Sequence, residues 1–290
     1  DRSLWIGESK AVLDVSAEKG KLLLQIPAEH LEDIAVDNQN NAIWVGTRKE
    51  IIKYSLTGAE LYRYKLNIKD DCKDDDCGER VVHLSLDPFD GSLWIGAKDE
   101  IIKLSFVGRE LLRIRGINHV EDVSVDISDG TCWVGFKDKA VKYSSTGELL
   151  ISFRIEEGNK IYALAADPAS NSLWIGTKKG LLNVSRNGFE QLFIKEPLDI
   201  QDLKMDINDA TVWAVTKKKV FKYNKDGQML IKLIPCPDDD KDDDDDKGHS
   251  KSNRKSSSDD GDEHDGDNDH DDDEDFKCEG NLITLAVDPH

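Results

Sequence analysis

Carboxylates recur at three places in the chain, the first two with an imidazole: His30-Leu31-Glu32-Asp33, His119-Val120-Glu121-Asp122 and Asp199-Ile200-Gln201-Asp202. A fourth stretch, Val81-Val82-His83-Leu84-Ser85, adds one more imidazole. Oxygens and ring nitrogens that converge in this way can ligate a divalent cation such as calcium, magnesium or iron. Asp33, Asp122 and Asp202 are then expected to form a ring, with Glu32, Glu121, His30, His119, His83 and Tyr162 beside it. The competing expectation is that these Asp residues accept hydrogen bonds from backbone N–H groups at strand starts. A second candidate is Asp265, Asp267 and Asp269, which alternate as in a calcium loop, with His264, His270 and His249 nearby. However, His270 stands where the turn Gly belongs and Phe276 where a bidentate Glu belongs. That pattern favours weak, multivalent binding of divalent cations or of a cationic mineral surface over a tight calcium site. A solvated spacer is the alternative. The chain has no Ser/His/Asp nucleophile motif, phosphate-binding Gly loop or cofactor fingerprint, so the reading leans away from an enzyme.

Stretches so far apart can meet only if a repeat brings them together. Six segments share a pattern around Trp: SLWIG from Ser3, AIWVG from Ala42, SLWIG from Ser92, TCWVG from Thr131, SLWIG from Ser172 and TVWAV from Thr211. They hold all six Trp of the chain, at spacings of 39, 50, 39, 41 and 39 residues. A period near 40 with short strands fits the four-stranded blade of a propeller. In the third repeat, strand A is expected over Arg80–Pro88, B over Ser92–Ala97, C over Ile101–Phe106 and D over Leu111–Ile117. Gly and Asp punctuate the runs as hairpin turns require. Strands A and B are almost wholly apolar and are expected between blades. Strand D alternates, as in Leu61-Tyr62-Arg63-Tyr64-Lys65-Leu66, and is expected at the wetter rim.

The termini complete the count. The chain ends on a strand A (Ile283–His290) with no B after it, and begins on a strand B with no A before it. The expected fold is therefore all-β. It is a six-bladed β-propeller of four-stranded blades, a single domain over residues 1–290, closed by the C-terminal strand pairing into the N-terminal blade. Blades 1, 3 and 5 end strand A in Asp-Pro (Asp288-Pro289, Asp87-Pro88, Asp167-Pro168), whereas 2, 4 and 6 do not, which implies three copies of a double blade. The Asp closing each strand A (Asp37, Asp87, Asp126, Asp167, Asp206, Asp288) is expected to cap the A–B turn. The Trp are expected to pack between blades. In a propeller the D–A and B–C loops share one face. The B–C turns there are basic: Lys10, Arg48-Lys49, Lys98, Lys137 and Lys139, Lys178-Lys179 and Lys217-Lys218-Lys219. They make a solvated rim, a dock for the acidic tract, or a surface for an anionic partner. Any such contact weakens with salt.

The charge of −20 is uneven. Residues 237–277 carry 20 acidic and 6 basic side chains, a net of −14, which leaves −6 on the remainder. With one aromatic and no aliphatic residue, this insertion between blade 6 and the closing strand is expected to be disordered. Such an anionic chain repels phosphates, which excludes non-specific nucleic-acid binding. No apolar run reaches the length of a membrane span. The first residue is Asp1 and no signal peptide is visible, so a processed chain or an excised domain is expected. Cys72 and Cys77 bracket KDDD, and Cys236 and Cys278 bracket the acidic tract. Two disulfides are expected, hence a periplasmic or extracellular location. Reduced thiols, or a metal clip at Cys72/Cys77, are the alternatives. Cys132, in a strand B, reads as a small core residue.

The unit AVDP…GSLWIG…IIKYS…TGELL resembles the NHL propellers and the wider group of regucalcin/gluconolactonase-like and streptogramin-lyase-like proteins. The resemblance covers nearly the whole chain outside the tract and implies the six-bladed fold. Gluconolactonase-like enzymes hold a divalent metal at the channel mouth with Glu, Asn and Asp. The strand A starts here supply Glu and Asp but no Asn. The lyases use a His at the start of a strand A, and His83 is comparable. The leading expectation is a non-enzymatic binding or scaffold propeller outside the cytosol, monomeric, with a protein partner or cations on its top face. The alternative is a metal-dependent lyase or lactonase acting through Asp33, His83, Asp122 and Asp202.

Overall fold

A computed structural model describes residues 3–8, 10–16, 21–66, 82–117, 119–233 and 284–285. Each Trp-centred repeat forms one antiparallel sheet, because four short β-prone runs are separated by turns too tight for any other connection. Blade 1 holds β1 (Ser3–Glu8), β2 (Ala11–Ser16) and β3 (Leu22–Pro27). Blade 2 is β4 (Leu31–Asp37), β5 (Ala42–Thr47), β6 (Glu50–Ser55) and β7 (Glu60–Lys65). Blade 3 is β8 (His83–Leu86), β9 (Leu93–Ala97), β10 (Glu100–Leu104) and β11 (Glu110–Arg115). Blade 4 is β12 (Val120–Asp126), β13 (Thr131–Phe136), β14 (Lys139–Tyr143) and β15 (Leu149–Arg154). Blade 5 is β16 (Ile161–Asp167), β17 (Ser172–Thr177), β18 (Gly180–Ser185) and β19 (Glu190–Ile194). Blade 6 is β20 (Asp202–Asp206), β21 (Thr211–Val215), β22 (Val220–Tyr223) and β23 (Met229–Leu233). The last strand, β24 (Thr284–Leu285), pairs with β1 through Ile6↔Leu285 and Gly7↔Thr284, giving the order β24-β1-β2-β3. The six sheets form the ring of a propeller. In blade 3, β8 and β9 start later than the pattern suggests, β10 and β11 start one residue earlier, and β8, β10 and β11 each end two residues sooner; residues 80–81 lie outside the described residues. Among the described residues no helix is long and apolar enough to cross a membrane.

The core lies between blades rather than within them. Trp44 of β5 packs with Leu84 of β8 and Ile95 of β9. Trp94, Trp133 and Trp174 repeat the arrangement against blades 4, 5 and 6, and Trp5 does so against blade 2. Such a large apolar ring buries more surface than any other side chain, so one per blade supplies much of each interface. The Gly two residues after five of the six Trp has a steric reason, whereas Val215 follows Trp213. A Cβ on Gly96 would stand 2.6 Å from Val120 and 2.8 Å from Val123 of the next inner strand. The outer strands are wet: β7 and β15 expose alternate or more residues, as their polar alternation requires.

The last Asp of strand A serves two partners. One oxygen accepts from a backbone N–H of the A–B turn: Asn40 (3.2 Å) for Asp37, Ser128 (3.1 Å) for Asp126 and Ala169 (3.0 Å) for Asp167. In blades 2, 4 and 6 the other oxygen accepts from a Lys of strand C: Lys53 (3.0 Å), Lys142 (2.8 Å) and Lys222 (3.4 Å). These lysines, and Lys103 of blade 3, pair in register with the strand B Trp and lie 4.8 to 5.5 Å from its ring centre. Indole below and carboxylate beside are what let an ammonium be buried. Blade 5 substitutes Asn183, which donates to Ser172 Oγ at 2.9 Å. Blade 1 substitutes Asp14, whose Oδ1 is buried with no hydrogen-bond partner among the described residues.

Candidate functional site

Strand A is the innermost strand of each blade, so one of its edges has no ladder partner within the sheet. Its N–H groups must be satisfied from the neighbouring blade or from water. The polar residues near the start of strand A do this. Asp33 Oδ1 accepts from its own neighbour Ile34 N (2.8 Å) and Oδ2 from Leu84 N of blade 3 (2.8 Å). Asp122 repeats the contact with Val123 N (2.7 Å) and Leu164 N of blade 5 (2.6 Å). Two residues along, Ser85 Oγ accepts from Val125 N and Ser124 Oγ from Ala166 N, both at 2.9 Å. Asp202 occupies the same position of blade 6 and is likewise buried. Asp33, Asp122, Ser85 and Ser124 are thus splints between adjacent inner strands.

The strand entrances share a local geometry. His30, His119 and Asp199 all adopt the left-handed conformation, with φ of 55, 51 and 54°. His, Asn and Asp tolerate that region better than most side chains. A β-bulge follows at Leu31/Asp33 and at Val120/Asp122, and blade 5 has one at Ile161/Ala163. The bulge turns Glu32, Glu121 and Tyr162 away from the splint positions. Glu32 pairs with Arg48 (2.8 Å) and Glu121 with Lys160 (3.2 Å). His30 and His119 are exposed, and neither imidazole bonds to the carboxylates among the described residues.

A cation stands among the three buried carboxylates, and it is a side chain. Lys204 Nζ lies 3.2 Å from Asp202 Oδ1. Removal from bulk water works against its charge, but Asp202, Asp33 and Asp122 outweigh that and hold its pKa well above the ordinary lysine value. Asp122 goes the other way. Burial pushes its carboxyl well above the usual carboxylate range, opposed by Lys204 and reinforced by Asp202 and Asp33. His83 Nδ1 stands 3.4 Å from Asp122 Oδ1. Burial lowers its pKa below the ordinary 6.5, Lys204 lowers it further, and Asp33, Asp202 and Glu121 resist. Lys204 has no counterpart in the acidic stretches read from the sequence. Its signal was the strand period: residues 202 and 204 of a strand share a face, as 122 and 124 do.

A divalent cation does not fit this donor set. Both oxygens of Asp33 and of Asp122 already face backbone N–H groups, and an ammonium shares the ring. Among the described residues no group of three or more His, Cys, Asp or Glu is arranged to hold a metal ion. Cys132 is free, and burial raises its thiol far above the range of a reactive cysteine. Cys72, Cys77, Cys236, Cys278, His264, Asp265, Asp267, Asp269 and His270 lie outside the described residues.

The His83 environment carries a pH prediction. A histidine whose folded pKa is depressed binds fewer protons folded than unfolded, so it contributes stability above about 6.5 that is lost as pH falls through the window beneath. His83→Gln should flatten that part of the stability profile, measured by urea unfolding at a series of pH values. A profile unchanged by the substitution would show that His83 is not the group responsible.

No protein-family model matches the chain, and no curated protein matches it.

Proposed function

We propose that this propeller is a non-enzymatic binding or scaffold module that works through its faces and loops, not through chemistry in the channel. The observation that carries this is Lys204, whose ammonium stands 3.2 Å from Asp202 and in the field of Asp33 and Asp122. A metal-dependent lyase or lactonase requires an open coordination position, and Asp33 and Asp122 are committed to splinting the inner strands while Asp202 pairs with Lys204. Cation binding, on this reading, belongs to residues 237–277, whose dense carboxylates attract hard divalent ions collectively. The Cys72/Cys77 and Cys236/Cys278 spacings support a location outside the cytosol. The test is calorimetric titration of calcium, magnesium and ferrous iron into the intact protein, into one lacking residues 237–277, and into Asp33→Asn. Weak multisite binding that vanishes only with the deletion is expected. Binding that survives the deletion and is lost in Asp33→Asn would return the metal to the channel mouth and defeat the proposal.

A further inference from the structure

A cleft of about 530 Å³ opens between blades 4 and 5, on the face that carries the strand A entrances. That is the size of a small-molecule site. Three lysines line it: Lys137 from the B–C turn of blade 4, Lys178 from the B–C turn of blade 5, and Lys160 from the loop between the blades. Tyr162, the residue at the bulge of β16, also borders the cleft.

The backbone holding these groups is tied together. Ile161 N donates to Lys137 O at 2.9 Å, and Lys178 N donates to Lys160 O at 3.0 Å. The buried Asn159 side chain accepts from Lys160 N (3.0 Å) and Lys179 N (3.3 Å). Both turns and the loop are therefore held in one arrangement before anything binds, which lowers the entropic cost of binding.

The charges are unbalanced. Asp138, the one acid lining the cleft, is taken up by Arg154. Lys160 is held by Glu121 at 3.2 Å and lies 4.9 Å from the Tyr162 ring centre. Lys179, just outside, is paired with Glu156 at 2.9 Å. Lys137 and Lys178 have no acidic partner among the described residues. Two unneutralised ammonium groups, with a third close by in a concave wall, raise the local concentration of anions.

We propose that this cleft binds a small polyanion, a molecule that presents phosphate or carboxylate groups to Lys137, Lys160 and Lys178. The net charge of −20 disfavours a long polyphosphate such as nucleic acid, whereas a compact anion meets only the local field. The inference stands apart from the channel reading, since none of the splinting residues lines the cleft.

The test uses the full chain in low-salt buffer, titrated calorimetrically with inorganic phosphate and, separately, with citrate. Saturable binding of at least one probe is expected, weakening as potassium chloride is added. Phosphate alone, citrate alone or both would identify the group recognised. Lys137→Gln and Lys178→Gln should each weaken binding about tenfold, the usual loss of one charged hydrogen bond. Lys217→Gln, on the exposed B–C turn of blade 6, should leave it unchanged. Failure of both probes to saturate overturns the proposal. So does an equal loss in Lys217→Gln, because binding would then be a diffuse property of a basic rim.

Discussion

Replacing Lys204 by methionine should destabilise the protein by about 3 kcal/mol near neutral pH, the lower end for breaking a buried ion pair. The lower end applies because a quarter of the Lys204 side chain remains accessible. Methionine keeps much of the volume, so the loss isolates the charge. Without the ammonium, Asp202, Asp33 and Asp122 repel one another with nothing to offset them. The sign of the pH dependence follows from Asp122. An acid whose folded pKa is raised above 3.8 binds more protons folded than unfolded, so stability falls as pH rises through that window. Losing Lys204 raises that pKa further and deepens the fall. The deficit of Lys204→Met should therefore be largest near neutral pH and shrink toward the ordinary carboxylate range. Denaturant unfolding at several pH values measures the loss and its pH dependence. A loss that is the same at every pH would mean that packing, not charge, is what Lys204 contributes.

Lys142→Ala should cost about 3 to 5 kcal/mol, the range for an ion pair broken inside a protein. Lys142 and Asp126 have side-chain exposures of only 3% and 4%, so neither can turn to water when the other is removed. The substitution also takes the ammonium from the face of Trp133, 5.5 Å away, and leaves a cavity under it. Blade 5 suggests the milder replacement. There Asn183 faces Trp174 and donates to Ser172, and the matching position in blade 4 is Thr131. Lys142→Asn should accordingly lose less than Lys142→Ala, since an amide can still donate into the site. Urea unfolding of the two variants orders them. A loss below about 1 kcal/mol for the alanine variant would show that water satisfies Asp126, and that the pair is weaker than its burial implies.

Much of the fold was legible because its determinants are periodic. One Trp about every 40 residues, strands A and B without polar interruption, and Gly or Asp at each turn leave few architectures open. The turn-capping role of Asp37, Asp126 and Asp167 was also readable, because a side chain reaching two or three residues along its own chain involves no tertiary contact. The second partner of that Asp was harder to see. Lys53, Lys103, Lys142 and Lys222 stand in otherwise apolar strands, and their recurrence was the available clue. That the ammonium is buried over an indole depends on register between strands, which the spacing alone leaves undetermined.

The chemistry of the mouth was the least legible part. A row of Asp at strand starts reads equally well as a metal ring or as a set of backbone acceptors, because both uses ask for the same oxygen atoms. Which one holds depends on where the next blade places its N–H groups and on what fills the space between. From its sequence alone this protein determined six blades, the interblade Trp and the distribution of its charge, all of which follow from local pattern and period. Only the tertiary structure decided that Asp33 and Asp122 reach across to Leu84 and Leu164, and that Lys204 stands among the carboxylates. The two Asp contacts join residues 51 and 42 positions apart, and distances of hydrogen-bond length between such residues are set by the packing of whole blades.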